Sequence, residues 1–290
     1  AGPVCKACGM ELTSFGVWIG RALAAEHYGA AARLAEELGF GALWLGGSPR
    51  LPTLRAMLEA SERIVIASGI VNIWQYDPDE LAAEFAALDA DCPGRVLLGI
   101  GIGHPESTQE YEKPLTRTRR FLDGIAAAAH PVPRERMALA ALGPKMLDLS
   151  FERTLGTHPY FTPPAHTRFA RERLGPQALV APEQAVVIDH GDRDAALAVA
   201  RAYAARYLAL SNYANNLRRF GFTDDSIADG GSRAVRDAMV PQGSAAQVAP
   251  AVRAHLDAGA DHVCVQALQP AGSTAVPVRE WTELAAALIG

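Results

Sequence analysis

Eight short apolar runs alternate with amphipathic stretches along nearly the whole chain, and this rhythm restricts the fold more than any other feature. The runs are 14–19 (SFGVWI), 41–46 (GALWLG), 64–73 (IVIASGIVNI), 95–103 (RVLLGIGIG), 136–142 (RMALAAL), 156–161 (GTHPYF), 184–189 (QAVVID) and 262–268 (HVCVQAL). Most are bounded by turn-forming residues, as buried strands are. Helical patterns lie between them. In 25–40 apolar residues recur at three and four until Gly39 stops the helix, and in 77–94 Asp77 suits an N-cap with Pro78 in the first turn. Strands alternating with helices pair in parallel, and eight of them predict an α/β fold of the (β/α)8 TIM-barrel type. An open doubly wound sheet is the alternative. No Pro-, Gly- or Ser-rich linker divides the pattern, so 10–290 is expected to be one TIM-barrel domain. Residues 1–9, which precede Met10, read as an expression remnant or a disordered N-terminus.

Composition narrows the function classes. The 290 residues are 49% hydrophobic and 20% charged, as in an ordinary globular protein, and no apolar run approaches the length of a membrane span. A net charge of −5 lacks the concentrated basic surface that nucleic acid demands; Arg117, Arg119 and Arg120 read as a solvated helix face. Cys92 and Cys264 stand far apart in apolar surroundings, and Cys5 and Cys8 have no second pair to complete a zinc site. The expectation is a cytoplasmic protein without a metal, with a homodimer plausible from helices such as 119–129.

In a barrel of this kind the C-terminal strand ends carry the site. Gly99, Gly101 and Gly103 alternate along strand four, which strips one side of it and invites the close approach of another strand or a flat ligand. They do not form a dinucleotide fingerprint, because the third fingerprint glycine is missing. No nucleophile elbow, carboxylate pair or convergent metal-ligand set appears at these ends. What remains is glycine backbone, aromatics, amides and one or two imidazoles, a lining that suits an organic cofactor carrying the chemistry itself. Gly143, at the end of strand five, precedes a helix N-terminus whose free N–H groups favour phosphate, with Lys145 adding charge. An ordinary turn with a solvated lysine explains the same residues. His158, taken alone, reads more readily as a satisfied core imidazole.

The blocks FGVW, ELGFGALWL, IVIASGIVNIWQYDPDELAAEFAALD, GRVLLGIGIGHPE, GPKMLDLSFERTLGTHPYFTPPAHTRFARERLGP and DAGADHVCVQAL together resemble the bacterial luciferase-like superfamily, in its branch of F420-dependent oxidoreductases. The resemblance covers about residues 12–290. It implies a TIM barrel with a deazaflavin (F420) or flavin (FMN) ring at the C-terminal mouth, and a non-proline cis peptide in a bulge at Gly69-Ile70. Carried over residue by residue, it implies that Asn72 bonds the ring's polar edge and that Gly101, Gly103 and His104 line its neighbourhood. Gly143, Lys145 and Met146 would receive the phosphate, with His158 nearby.

Two departures qualify the resemblance. Many relatives carry a histidine at the end of strand two, whereas this chain has Gly47 and Ser48, and a hydroxyl cannot replace imidazole as a base near neutral pH. His104 is then the candidate proton donor, with Trp18 and Trp74 as apolar walls and Ser48 beside the substrate. The second is a short connection between strands four and five, which leaves the pocket open or roofed by 212–222 (NYANNLRRFGF). The resulting expectation is an F420-dependent enzyme transferring a hydride between deazaflavin C5 and a small organic substrate, with reduction preferred. An FMN-dependent monooxygenase and a non-catalytic flavin-binding protein are the alternatives.

Overall fold

The computed structural model describes residues 10, 12–20, 22–107 and 113–290. The strands are β1 (Phe15–Ile19), β2 (Ala42–Leu45), β3 (Val65–Asn72), β4 (Val96–Gly101), β5 (Met137–Leu139), β6 (Gly156–Thr157), β7 (Leu179–Val180), β8 (Glu183–Ile188), β9 (Gln242–Gly243) and β10 (Val263–Ala267). The helices are α1 (Tyr28–Glu37), α2 (Arg55–Glu59), α3 (Pro78–Asp91), α4 (Pro114–Ala127), α5 (Pro144–Arg153), α6 (Pro164–Leu174), α7 (Arg193–Leu208), α8 (Ser211–Arg219), α9 (Asp224–Ile227), α10 (Arg233–Met239), α11 (Ala245–Asp257) and α12 (Val278–Leu288). Every strand pairing is parallel, in the order β7-β6-β5-β4-β3-β2-β1-β10-β8-β9.

The backbone closes this ring into a barrel. Leu179, Ala181 and Glu183 donate their N–H groups to Leu155, Thr157 and Pro159, while Asp261 and Cys264 donate to Val180 and Pro182, all at 2.9 Å. Residues 179–188 thus join β6 to β10, and β7 and β8 are two halves of one strand position broken at Ala181-Pro182. All eight expected strands are present. The sixth is shorter than expected because the chain turns away at His158-Pro159, and the β7 half and β9 are additional.

Alternation along the strands sorts the apolar residues into two cores. Val17, Ile19, Leu43, Leu45, Ile66, Leu98, Val263 and Val265 face outward and pack with the helices. Trp18, Ala42, Trp44, Val65, Ala67, Leu97 and Cys264 belong to the inner core. Aromatic rings fill the barrel's axis. The Trp44 indole donates to His262 Nε2 (3.1 Å), His262 Nδ1 donates to the Thr13 carbonyl (2.6 Å), and His158 lies on Trp44 at 3.9 Å and 13°. Trp18 and Tyr160 continue the column.

Between β8 and β9 the chain makes a helical excursion, α7 to α10, which reaches across the C-terminal mouth. It leaves and returns through adjacent backbones, with Val187 opposite Gln242 and Ile188 opposite Gly243. Of the two expectations for the mouth, open or roofed by 212–222, the second holds. Cys5 and Cys8, the possible remnant 1–9, and part of the β4–α4 connection lie outside the described residues. Among those described, no helix is long and apolar enough to cross a membrane, and no group of three or more His, Cys, Asp or Glu could hold a metal.

The glycines of strand four have a structural cause. The register between β3 and β4 shifts between Ser68 and Val71, a bulge at Gly69-Ile70. A Cβ on Gly99 would stand 2.1 Å from the Gly69 carbonyl oxygen and 2.3 Å from that of Ser68, so the bulging strand occupies the stripped side. The Ser68 hydroxyl seals the contact, accepting from Gly99 N–H (3.1 Å) and donating to Gly99 O (3.2 Å). Gly99→Ala is therefore expected to cost about 3 kcal/mol or more through forced backbone movement. Gly143→Ala, at φ −91° with open space around the added carbon, should cost at most about 1 kcal/mol, the loss of a tolerated N-cap residue. Equal midpoints for the two variants would contradict this account.

Candidate active site

At the mouth, the loops after β2, β3 and β4 hold one another in place. Ser48 adopts φ 55° and its hydroxyl accepts from Asn72 N–H at 2.9 Å; Asn72 Oδ1 in turn accepts from Trp74 N–H at 3.1 Å. The Asn72 amide also lies against Gly103, where φ +68° and a 2.9 Å approach both favour glycine. Trp74 is anchored by its indole N–H to Ile102 O (2.7 Å), and the Arg117 guanidinium stacks over its ring at 4.9 Å. Gly101 faces the Ile70 side chain and the Ala140 methyl group.

Several expected placements are corrected. All peptide bonds among the described residues are trans, Gly69-Ile70 included, and the bulge is made by the register shift alone. Trp18 is 6% exposed and does not stand as a free wall: its indole lies flush over Gly46 and Gly69, where any Cβ would collide with it. Gly69 therefore faces an indole. His158 does not stand beside a phosphate site. It is fully buried under Trp18, with Nδ1 donating to Ala181 O at 2.6 Å, and burial holds its pKa down at about 3. Its Nε2 has no hydrogen-bond partner.

His104 and Glu106, just past β4, reach across to the first turn of α8. His104 Nδ1 lies 3.1 Å from Asn212 Oδ1, and Glu106 Oε1 accepts the Ser211 N–H at 2.9 Å. Leu210 cannot cap α8 with its side chain, so the Glu106 carboxylate takes that place. That bond holds the Glu106 pKa below the usual carboxylate range. Burial lowers the His104 pKa, opposed by Asn212 and Glu106. His104 is accordingly neutral at pH 7, with Nε2 free of protein partners among the described residues. Around the rim, Gly143 caps α5 with no side-chain hydrogen bond, Lys145 is exposed and Met146 is half-buried.

One cluster escaped the sequence reading. Tyr203 on α7 donates to Tyr160 (2.6 Å) and approaches Gln266 Oε1 (3.1 Å) and Glu183 Oε1 (3.3 Å); Tyr160 donates to Gln266 Oε1 (2.6 Å) and Tyr207 to Tyr160 (3.2 Å). Glu183 is fully buried, and burial raises its pKa to about 8. The available signals were a glutamate opening an apolar strand and two tyrosines one helical turn apart.

Comparison with known proteins supplies the family. The luciferase-like monooxygenase model matches residues 10–262. The chain belongs to that family. A curated relative from Microbacterium testaceum (strain StLB037), an F420-dependent glucose-6-phosphate dehydrogenase, is 36% identical over 83 residues, which span 24% of this chain and only 25% of that one. Among solved structures, an F420-dependent secondary alcohol dehydrogenase in complex with an F420-acetone adduct superposes with a TM-score of 0.73 at 15% identity, over 95% of this chain and 98% of that one. The coenzyme F420-dependent tetrahydromethanopterin reductase from Methanopyrus kandleri gives 0.71 at 16%, with the same coverage. At these identities the two structures establish the shared luciferase-like barrel.

Proposed function

We propose that this luciferase-like protein is an oxidoreductase that uses coenzyme F420, moving a hydride between deazaflavin C5 and a small organic substrate, with 10–290 acting as one domain. The observation that carries the reading is a neutral, half-buried imidazole, His104, whose Nε2 meets no hydrogen-bond partner among the described residues, at the end of the strand next to an uncapped helix N-terminus beside a lysine. The local likeness to an F420-dependent dehydrogenase supports it.

The residues present fit the cofactor at its anionic end. A Cβ on Gly143 would meet nothing within 4 Å, so the backbone at the end of β5 opens onto clear space. The α5 N-terminus and Lys145 offer N–H groups and positive charge there. Met146 would pack beside the tail, and Ile70, Asn72, Gly101 and Gly103 would form the ledge for the ring, above a floor completed by Trp18. When bound, the deazaflavin supplies a two-electron hydride carrier. The protein's part is to orient the substrate between Trp74 and Ser48, to exclude water with the α7–α8 roof, and to hold or release a proton at His104 Nε2.

Fluorescence titration of the full chain with F420 and, separately, with FMN tests the reading. F420 should bind in preference, and Lys145→Ala should weaken it roughly tenfold by removing one charge-assisted contact. Binding of FMN alone would replace this reading with a flavin monooxygenase. Binding of both rings without turnover of any alcohol or ketone would leave a flavin-binding protein.

A further inference from the structure

The proton-handling face of His104 is set by a residue far away in sequence. Asn212, the second residue of α8, stands 3.1 Å from His104 Nδ1 and presents its amide oxygen. An amide oxygen only accepts, so the shared proton belongs to Nδ1. A neutral imidazole has one N–H, which leaves a lone pair on Nε2.

We propose that Asn212 is a positioning residue, which locks His104 in the Nδ1–H form and turns the bare Nε2 towards the mouth as a proton acceptor. This rests on His104 being the proton-handling group of the proposed reaction. Such an imidazole takes the proton of a bound hydroxyl: the O–H bond breaks and an N–H bond forms at Nε2. A substrate that enters as an alcohol matches it, in place of the reductive direction expected from the missing strand-two histidine.

Neighbouring contacts make the arrangement rigid. The Tyr213 ring lies 5.3 Å from the imidazole at 52°, and Tyr213 itself is buried. Glu106 ties the same loop to Ser211. The charged groups facing His104 are Glu106 from its own loop and Arg206 from α7, which act in opposite directions on it; Tyr213 faces it from α8. Asn212 is thus the neutral partner that fixes the proton's place without adding charge. The helical excursion completes the site, because the tautomer is chosen by α8 and the imidazole is carried by β4.

Long-range 1H–15N correlation spectra of the 15N-histidine-labelled full chain at pH 7.5 test this without any substrate. The His104 signals are identified by their loss in His104→Gln. The wild-type ring should carry its proton on Nδ1, and Asn212→Leu should move it to Nε2. In Asn212→Asp the His104 pKa should rise by about one pH unit or more, as a carboxylate partner requires. A wild-type Nε2–H form would overturn the proposal, as would an Nδ1–H form that persists in Asn212→Leu or a pKa unmoved in Asn212→Asp. If Asn212→Leu does not fold, the wild-type spectrum still decides. The two readings separate: full activity in His104→Gln, with the tautomer as expected, would defeat the catalytic role and leave the positioning intact.

Discussion

Acidification from pH 6.5 to 4.5 is expected to lower the unfolding free energy by about 7 kcal/mol, a large part of the whole stability of a typical domain. Four imidazoles set this slope. His158 and His255 are held at about 3, and His166 and His262 at about 4, by burial in the barrel and under its helices, against 6.5 in the unfolded chain. Below pH 6.5 the unfolded chain takes up four protons that the folded protein refuses. Glu183 works the other way: its folded value of about 8 means that it already holds a proton, which the unfolded chain, at 4.5, has released. The net difference of three protons corresponds to about 4 kcal/mol per pH unit. The unfolded imidazoles are still half protonated at pH 6.5, so the two effects balance only near pH 7; above that the Glu183 difference dominates, and stability should fall gently, by roughly 1 kcal/mol per unit, until about pH 8. Urea midpoints at half-unit intervals would show a maximum near pH 7. A flat profile between 4.5 and 6.5 would contradict the neutral burial of these rings.

His104→Ala should lower kcat/KM for an alcohol substrate by 10²- to 10⁴-fold, the usual contribution of one general base. For the wild type, kcat/KM for oxidation should climb with pH through a value below 6.5 and then level off, because only the neutral ring accepts a proton and burial lowers its pKa. The natural readout is the change in F420 absorbance over a panel of small alcohols. A variant that retains the full rate would remove His104 from the chemistry.

The barrel was legible in the sequence because each of its longer strands buries both faces, and β-branched runs such as 64–73 declare that directly. The closing segment was not. Leu179–Val180 is a two-residue strand cut off by Pro182, too short for any periodicity, and its place follows only from hydrogen bonds to β6 and β10. The alternating glycines pointed correctly to a close approach, yet the sequence could not say whether backbone or ligand was the visitor. Gly99 faces the β3 bulge and Gly69 an indole. His104 could be picked out as a polar residue at a strand end, but Asn212 lies 108 positions away on a helix, and only the folded chain brings the two together. Glu183 was hidden for a different reason: it opens its strand and its partners come from α7 and the loop after β6, so no local spacing marks it.

The α7–α10 excursion leaves and rejoins the ring through neighbouring backbones at Ile188 and Gly243, yet Ala200, Ala204, Tyr213 and Leu217 are buried in the same core as the barrel's interior. Roof and barrel therefore share one hydrophobic core, and a substitution that loosens the roof also opens the interior beneath it to water.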